Sequence, residues 1–269
     1  MRCIALAGLV ACSPHHGGTA LGGDDDGKAD GASGDASGDG RAPWQPEPGT
    51  TWQWQLTGTI DTSVDAAMYD IDLADAPQAT IDALHAAGRR VICYFSAGTY
   101  EDWRADATQF PTAARGNGVD GWPGEQWLDT RDGTVRAIMQ ARMDLAVTKS
   151  CDGVEPDNVD GYQNDPGFRL TSATQLDFDM FIAREAHARG LSVGLKNDLD
   201  QIPMLAPSFD WALDEQCSQY SECGDLQPFV AAGKAVFHCE YRTTCPEAVS
   251  GFSTILKHLD LDAPRTVCP

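Results

Sequence analysis

The sequence predicts an α/β fold, a single (β/α)8 TIM barrel preceded by a disordered acidic linker, and three observations point to it. Eight short apolar runs alternate with amphipathic helical stretches, the pattern of strands joined by crossover helices in a parallel sheet. About 225 residues follow a structureless start, the usual size of one barrel with its core. Acidic residues gather at the C-terminal ends of the runs while the starts are apolar, and barrel chemistry sits at those ends.

The chain opens Met1-Arg2 and continues with an apolar run from Cys3 to Ala11. Leu9-Val10-Ala11-Cys12 fits a bacterial lipobox, so residues 1–12 read as a lipoprotein-type signal segment. An ordinary export signal with a coincidental cysteine is the competing reading. Residues 13–45 are mostly Gly, Asp, Ala and Ser, with Gly22-Gly23-Asp24-Asp25-Asp26-Gly27 as an example. They offer almost nothing to bury, and a disordered spacer of this length reaches roughly 30 Å. The barrel domain is assigned to residues 46–269, with its structure starting near Trp52. No later segment approaches the ~20 apolar residues that span a bilayer. The protein is therefore expected to be exported, as a cell-surface lipoprotein or a secreted monomer, touching membrane only through a lipid anchor at Cys12.

The candidate strands are 52–56, 68–72, 91–96, 154–158, 192–197, 211–215, 235–241 and a weaker eighth at 252–255. Between the second and third, residues 79–87 carry Ile81, Leu84 and His85 and stop at Gly88. Residues 134–149 place Val135, Ile138, Met139, Met143 and Ala146 on one helical face. Ser172-Ala173-Thr174-Gln175 fits a capping box for a helix ending at Gly190. After the sixth strand, Leu226, Phe229 and Val230 mark a helix that stops at Gly233. A doubly wound open sheet is the runner-up. No glycine-rich phosphate loop follows any strand, which counts against a nucleotide-binding version.

Forty acidic against nineteen basic residues give a net charge of −21. That balance excludes nucleic acid as a partner and would attract a cationic ligand. Seven cysteines lie beyond the start: Cys93, Cys151, Cys217, Cys223, Cys239, Cys245 and Cys268. In an exported chain they argue for disulfides, with one thiol left over. Cys217–Cys223 closes a short polar loop and is the safest pair.

The strand ends supply the candidate site: Asp70 and Asp72, Tyr94, Glu155 and Asp157 with Asp160, Lys196 and Asn197, Glu215, and Glu240. Glycosidic cleavage needs a general acid and a second carboxylate as nucleophile or base. Strand period two puts Glu155 and Asp157 on one side, Asp157 nearer the top, and leaves Glu215 last on its own strand. Asp157 and Glu215 are thus the catalytic candidates, with Lys196 on the strand between them. Trp103, Trp122 and Trp127 are candidate sugar-stacking platforms, Trp103 being assigned to substrate binding. The bland alternative for the acids is a salt-bridge network with Lys196, Arg104 and Arg242. A calcium loop at Asp157, Asp160 and Asp165 lacks its glycine and its bidentate glutamate. No Gly-x-Ser-x-Gly elbow is present, and the six histidines form no His/Asp metal set, so neither metal nor other cofactor is expected.

The stretches 91–98 (VICYFSAG), 151–162 (CDGVEPDNVDGY), 194–197 (GLKN) and 214–217 (DEQC) resemble glycoside hydrolase family 114, the endo-α-1,4-polygalactosaminidases, over about residues 52–268. The resemblance implies a (β/α)8 barrel cutting α-1,4-linked, partly N-acetylated galactosamine chains, a cationic amino-sugar polysaccharide. It implies Asp157 and Glu215 as the catalytic acids, Cys217–Cys223 and Cys245–Cys268 as disulfides, and Cys239 as the unpaired thiol. The alternative is a catalytically inactive, carbohydrate-binding surface lipoprotein on the same barrel.

Overall fold

In a computed structural model, residues 42–269 are described; the lipobox ending at Cys12 and most of the expected acidic spacer lie outside them. Eight parallel strands follow the chain order: β1 Trp52–Gln55, β2 Met68–Asp72, β3 Arg90–Ser96, β4 Gly153–Asp157, β5 Ser192–Lys196, β6 Trp211–Glu215, β7 Val236–Glu240 and β8 Phe252–Leu256. A short strand, residues 266–267, adds antiparallel to β8. The helices are α1 Gln78–Ala86, α2 Gly133–Thr148, α3 Ser172–Ala188, α4 Ile202–Leu205, α5 Cys217–Tyr220 and α6 Gln227–Ala231. None of them is long and apolar enough to cross a membrane. Every expected strand is present within two residues, and the face expected of α2 is the one it buries.

Alternation along the strands divides the core in two. Residues of one face, such as Tyr69, Val91, Val154, Val193 and Ala212, pack under the helices. Residues of the other parity, among them Trp52, Trp54, Met68, Ile92, Trp211, Leu213 and Phe237, fill the inside of the curled sheet. Both faces are therefore buried, as a parallel sheet requires. Trp52 and Trp211 pack on Phe237 at 5.1 and 5.5 Å between ring centroids, an aromatic floor beneath the polar strand ends. Gly194 makes the floor possible: a Cβ there would meet the Trp211 ring at 2.2 Å. The first and last strands approach each other, the Trp52 indole donating to Ser253 O at 2.9 Å.

Three details depart from the sequence expectation. Helices do not fill every crossover: among the described residues, loops alone join β1 to β2 and β7 to β8. The capping box of α3 is one residue earlier, with Thr171 at the cap and Thr174 answering it, because Thr171 is the residue left in extended backbone. The connection after β3 is a small antiparallel sheet of residues 99–101, 125–128 and 115–118, in that order.

Candidate active site

The curl gathers Asp157, Lys196 and Glu215 at the C-terminal ends of β4, β5 and β6. Lys196 is almost wholly buried, and its ammonium lies 2.9 Å from Glu155, 3.0 Å from Asp157 and 3.2 Å from Glu215. The Trp54 ring stands 4.7 Å from the same nitrogen. Burial works against a charge here, yet Asp157, Glu155 and Glu215 together hold the ammonium well above the ordinary lysine range.

Each cleft acid has a second donor. The Tyr94 hydroxyl donates to Asp157 at 3.0 Å, and the Tyr241 hydroxyl donates to Glu215. Burial raises both phenols well above their usual range, with Asp157 and Glu215 adding to it, so both are firm donors. The backbone is pinned as well. Ala97 N–H and Gly98 N–H donate to the Asp157 carbonyl at 2.8 and 3.2 Å, and a Cβ at Gly98 would meet Asn158 O at 1.8 Å. Asn197 Oδ1 accepts the Glu215 N–H at 3.0 Å.

The other expected residues separate into groups. Asp70 and Glu155 are fully buried one layer below the cleft acids, Glu155 accepting from Lys196 and from the Trp54 indole. Asp72 takes a two-pronged bond from Arg104 at 2.9 and 2.7 Å and caps the backbone of Ala74 and Asp75. Glu240 has the opposite parity to Cys239 and Tyr241 and faces away from the cleft. It accepts from Ser218 N–H, Gln219 N–H and His238, which hold its carboxyl low against the cost of burial. Neither Asp72 nor Glu240 joins the Lys196 group, and the salt-bridge alternative describes both. Asp160 stands beside Asp198, whose carboxyl is pushed up to about 7 by burial and then by Asp160.

Among the tryptophans, Trp103 and Trp122 are exposed (52 and 48%), while Trp127 is buried at 7% in the small sheet. Sequence reasoning missed Trp54 and Tyr241. Trp54 has the inward parity of Trp52 and Tyr241 that of Cys239, but neither strand carries an acid of the Lys196 group to mark that face. Among the described residues, two groupings are dense enough to hold a metal. Cys217, Cys223 and His238 is one, but its cysteines are joined; His258, Asp260 and Asp262 is the other. Neither includes a residue of the Lys196 group. The disulfides are Cys93–Cys151, Cys217–Cys223 and Cys245–Cys268, with Cys239 free and buried.

A family model described as glycoside-hydrolase family GH114 matches residues 35–269. The crystal structure of Aspergillus fumigatus Ega3 in complex with galactosamine is 46% identical, with a TM-score of 0.80 over 84% of this chain and 98% of that one. The glycoside hydrolase domain of PelA from Pseudomonas aeruginosa shares the fold at 14% identity, with a TM-score of 0.64 over 82% of this chain and 98% of that one. A trehalulose synthase mutant, MutB D415N, shares it more distantly, at 11% identity and a TM-score of 0.53 over 74% of this chain and 58% of that one. No curated protein matches the chain.

Proposed function

The chain belongs to glycoside-hydrolase family GH114, and from that premise we propose that it cleaves α-1,4-linked galactosamine-containing polysaccharide with Asp157 as nucleophile and Glu215 as general acid and base. The observation that carries this reading is one buried ammonium, Lys196, at 3.0 Å from Asp157 and 3.2 Å from Glu215. Carboxylates sharing an ammonium fit the roughly 5–5.5 Å spacing of retaining enzymes better than the roughly 6.5–9.5 Å of inverting ones. Asp157 accepts hydrogen bonds from both Lys196 and Tyr94, which fix its carboxylate for attack on the anomeric carbon. Glu215 has the longer contact with Lys196. It gives its proton to the leaving oxygen, then takes one from the water that frees the sugar from Asp157.

The relative's complex with galactosamine supports the substrate class. Exposed Trp103 is a stacking surface for a sugar ring, and Tyr94, Asp160 and Asn197 are the part-exposed polar groups offered to its hydroxyls and amino groups. The approach of Trp52 to Ser253 supports reading the curled sheet as a closed barrel within a domain of residues 46–269. Three disulfides suit an oxidising compartment, and so an exported, monomeric enzyme on a spacer tethered at Cys12 or released from it.

The test is digestion of galactosamine oligomers of defined acetylation, with products read by mass spectrometry and their anomeric form by NMR. Wild type should release fragments that first appear in the α form. Asp157→Asn and Glu215→Gln should each stay folded and lose about 10²–10⁴-fold in rate. A variant that keeps a tenth of wild-type activity removes its residue from the mechanism, and β products overturn the nucleophilic role.

A further inference from the structure

The layer beneath the cleft acids holds more carboxyls than two-carboxylate cleavage uses. Lys196 faces Glu155 as well as Asp157 and Glu215, and Asp70 lies against Glu155. Asp70 and Glu155 are both at 0% exposure, so neither reaches a sugar. Both oxygens of Glu155 serve donors, Oε1 the Lys196 ammonium at 2.9 Å and Oε2 the Trp54 indole at 3.1 Å. Asp70 is the reverse case. Neither of its oxygens meets an N–H or O–H donor, and its hydrogen-bonding neighbour is the Glu155 carboxyl. Two carboxyls bond to each other only through a proton, and a fully buried carboxylate without a donor would be heavily penalised.

We propose that Asp70 is a positioning residue kept as a neutral acid, whose O–H donates to Glu155 and so leaves Glu155 as the single inner counter-charge of Lys196. The inference rests on the reading of Asp157 and Glu215 as the cleaving pair. With Glu155 ionised, part of the ammonium's field is spent inward and the remainder is shared by the two cleft acids. If Glu155 took up the proton, the whole field would fall on Asp157 and Glu215, and the general acid would give up its proton too early. Burial raises the Asp70 carboxyl well above the usual range, helped by the Glu155 charge and opposed by Lys196. The remaining titratable groups around this cluster are Tyr94 of β3, Cys239 of β7 and Tyr241 just beyond it, Glu101 and Glu125 of the small sheet, which act on Tyr94 and, for Glu125, on Asp157, and one cation, Lys257, which acts on Cys239.

Two measurements on the full protein test this. The infrared carbonyl band of a protonated carboxylic acid should appear in the wild-type minus Asp70→Asn difference spectrum at pH 7. Its absence overturns the proposal whatever the kinetics show, and this readout needs neither of the riskier variants to fold. In kcat/KM against pH, Asp70→Asn supplies an N–H in place of the shared proton and should leave both limbs where wild type has them. Asp70→Leu supplies no donor and Glu155→Gln carries no charge; each should move both limbs about one unit to lower pH, the lower end of what one nearby charge does. Unmoved limbs in Asp70→Leu and Glu155→Gln, or limbs displaced by Asp70→Asn, overturn the proposal. Should Asp157→Asn and Glu215→Gln remain active, the cleaving pair is wrong, while the infrared result still decides the state of Asp70.

Discussion

Three strands of the candidate site turn into left-handed backbone immediately after the side chain each brings to the Lys196 group: Asn158 after Asp157, Asn197 and Asp198 after Lys196, and Gln216 after Glu215. Non-glycine residues seldom adopt that conformation, and asparagine and aspartate tolerate it best. Their side chains also offset the strain. The Asn158 amide donates to Ser96 and Thr99 at 3.0 and 3.2 Å, and Asn197 fixes the Glu215 amide. The turns end each strand sharply, leaving the preceding side chain at the mouth of the sheet. Lys196 is the residue on which this arrangement depends. Lys196→Met keeps the length but leaves Glu155, Asp157 and Glu215 facing one another without a cation. Loss of one partner from a buried ionic group commonly costs about 3–5 kcal/mol, and urea unfolding at pH 7 should show a loss of that order together with loss of activity. The deficit should shrink at pH 5, where the stranded carboxyls can take up protons. A variant as stable as wild type at pH 7 would mean that Lys196 is dispensable to the fold.

At the scale of elements, the Cys93–Cys151 bridge ties the middle of β3 to the chain just before β4, spanning the small sheet and α2 across a sequence separation of 58. Closing so long a loop restricts the unfolded chain, and losing a native bridge commonly costs about 2–5 kcal/mol. The Cys93→Ala, Cys151→Ala double variant should lose stability of that order in urea unfolding while Asp157 and Glu215 keep their partners. Chelator should change nothing. A melting shift with chelator alone would instead reveal a metal dependence. This same region shows where the sequence was readable. Helix α2 was, because Val135, Ile138, Met139, Met143 and Ala146 repeat at helical spacing over sixteen residues. The small sheet was not: residues 99–101 are too few to show a period, and residues 115–118 contain two glycines. That is why Trp127 looked like a sugar platform and proved to be core. The candidate site was legible to the extent that it lies at strand ends. Asp157, Lys196 and Glu215 are the last residues of their strands. Asp72 and Glu240 share that position, but what decides their role is which side chain meets them across the fold, Arg104 for one and His238 for the other.

For the molecule as a whole, acidity is a matter of buried carboxyls as well as net charge. Burial is the leading cause that raises Asp70, Glu101, Glu125, Glu155, Asp179 and Asp198 above the ordinary carboxylate range, with Glu155 and Asp198 at about 7 and Glu125 at about 8. Across the interval between ordinary and raised values, the folded protein binds more protons than the unfolded chain. The stabilising contribution is therefore complete below the ordinary carboxylate range and is lost as pH rises through the folded values. Carboxyls held low by partners, such as Asp106, Asp129 and Glu185, act the other way, but their window lies below that range. Thermal stability should thus fall steadily from about pH 5 to pH 8.5, the interval bounded by those values. Mutual repulsion of surface acids would give a similar slope, and salt separates the two causes. Screening acts at about 8 Å through solvent at physiological ionic strength and hardly touches buried groups. The slope should therefore survive 0.5–1 M salt, a range of roughly 3–4 Å screening. Glu125→Gln, which fixes the neutral form beside Thr99, should flatten its upper part near pH 8. A melting temperature that is flat between pH 5 and 8.5, or a slope abolished by salt, would show that burial does not raise the proton affinity of these carboxyls.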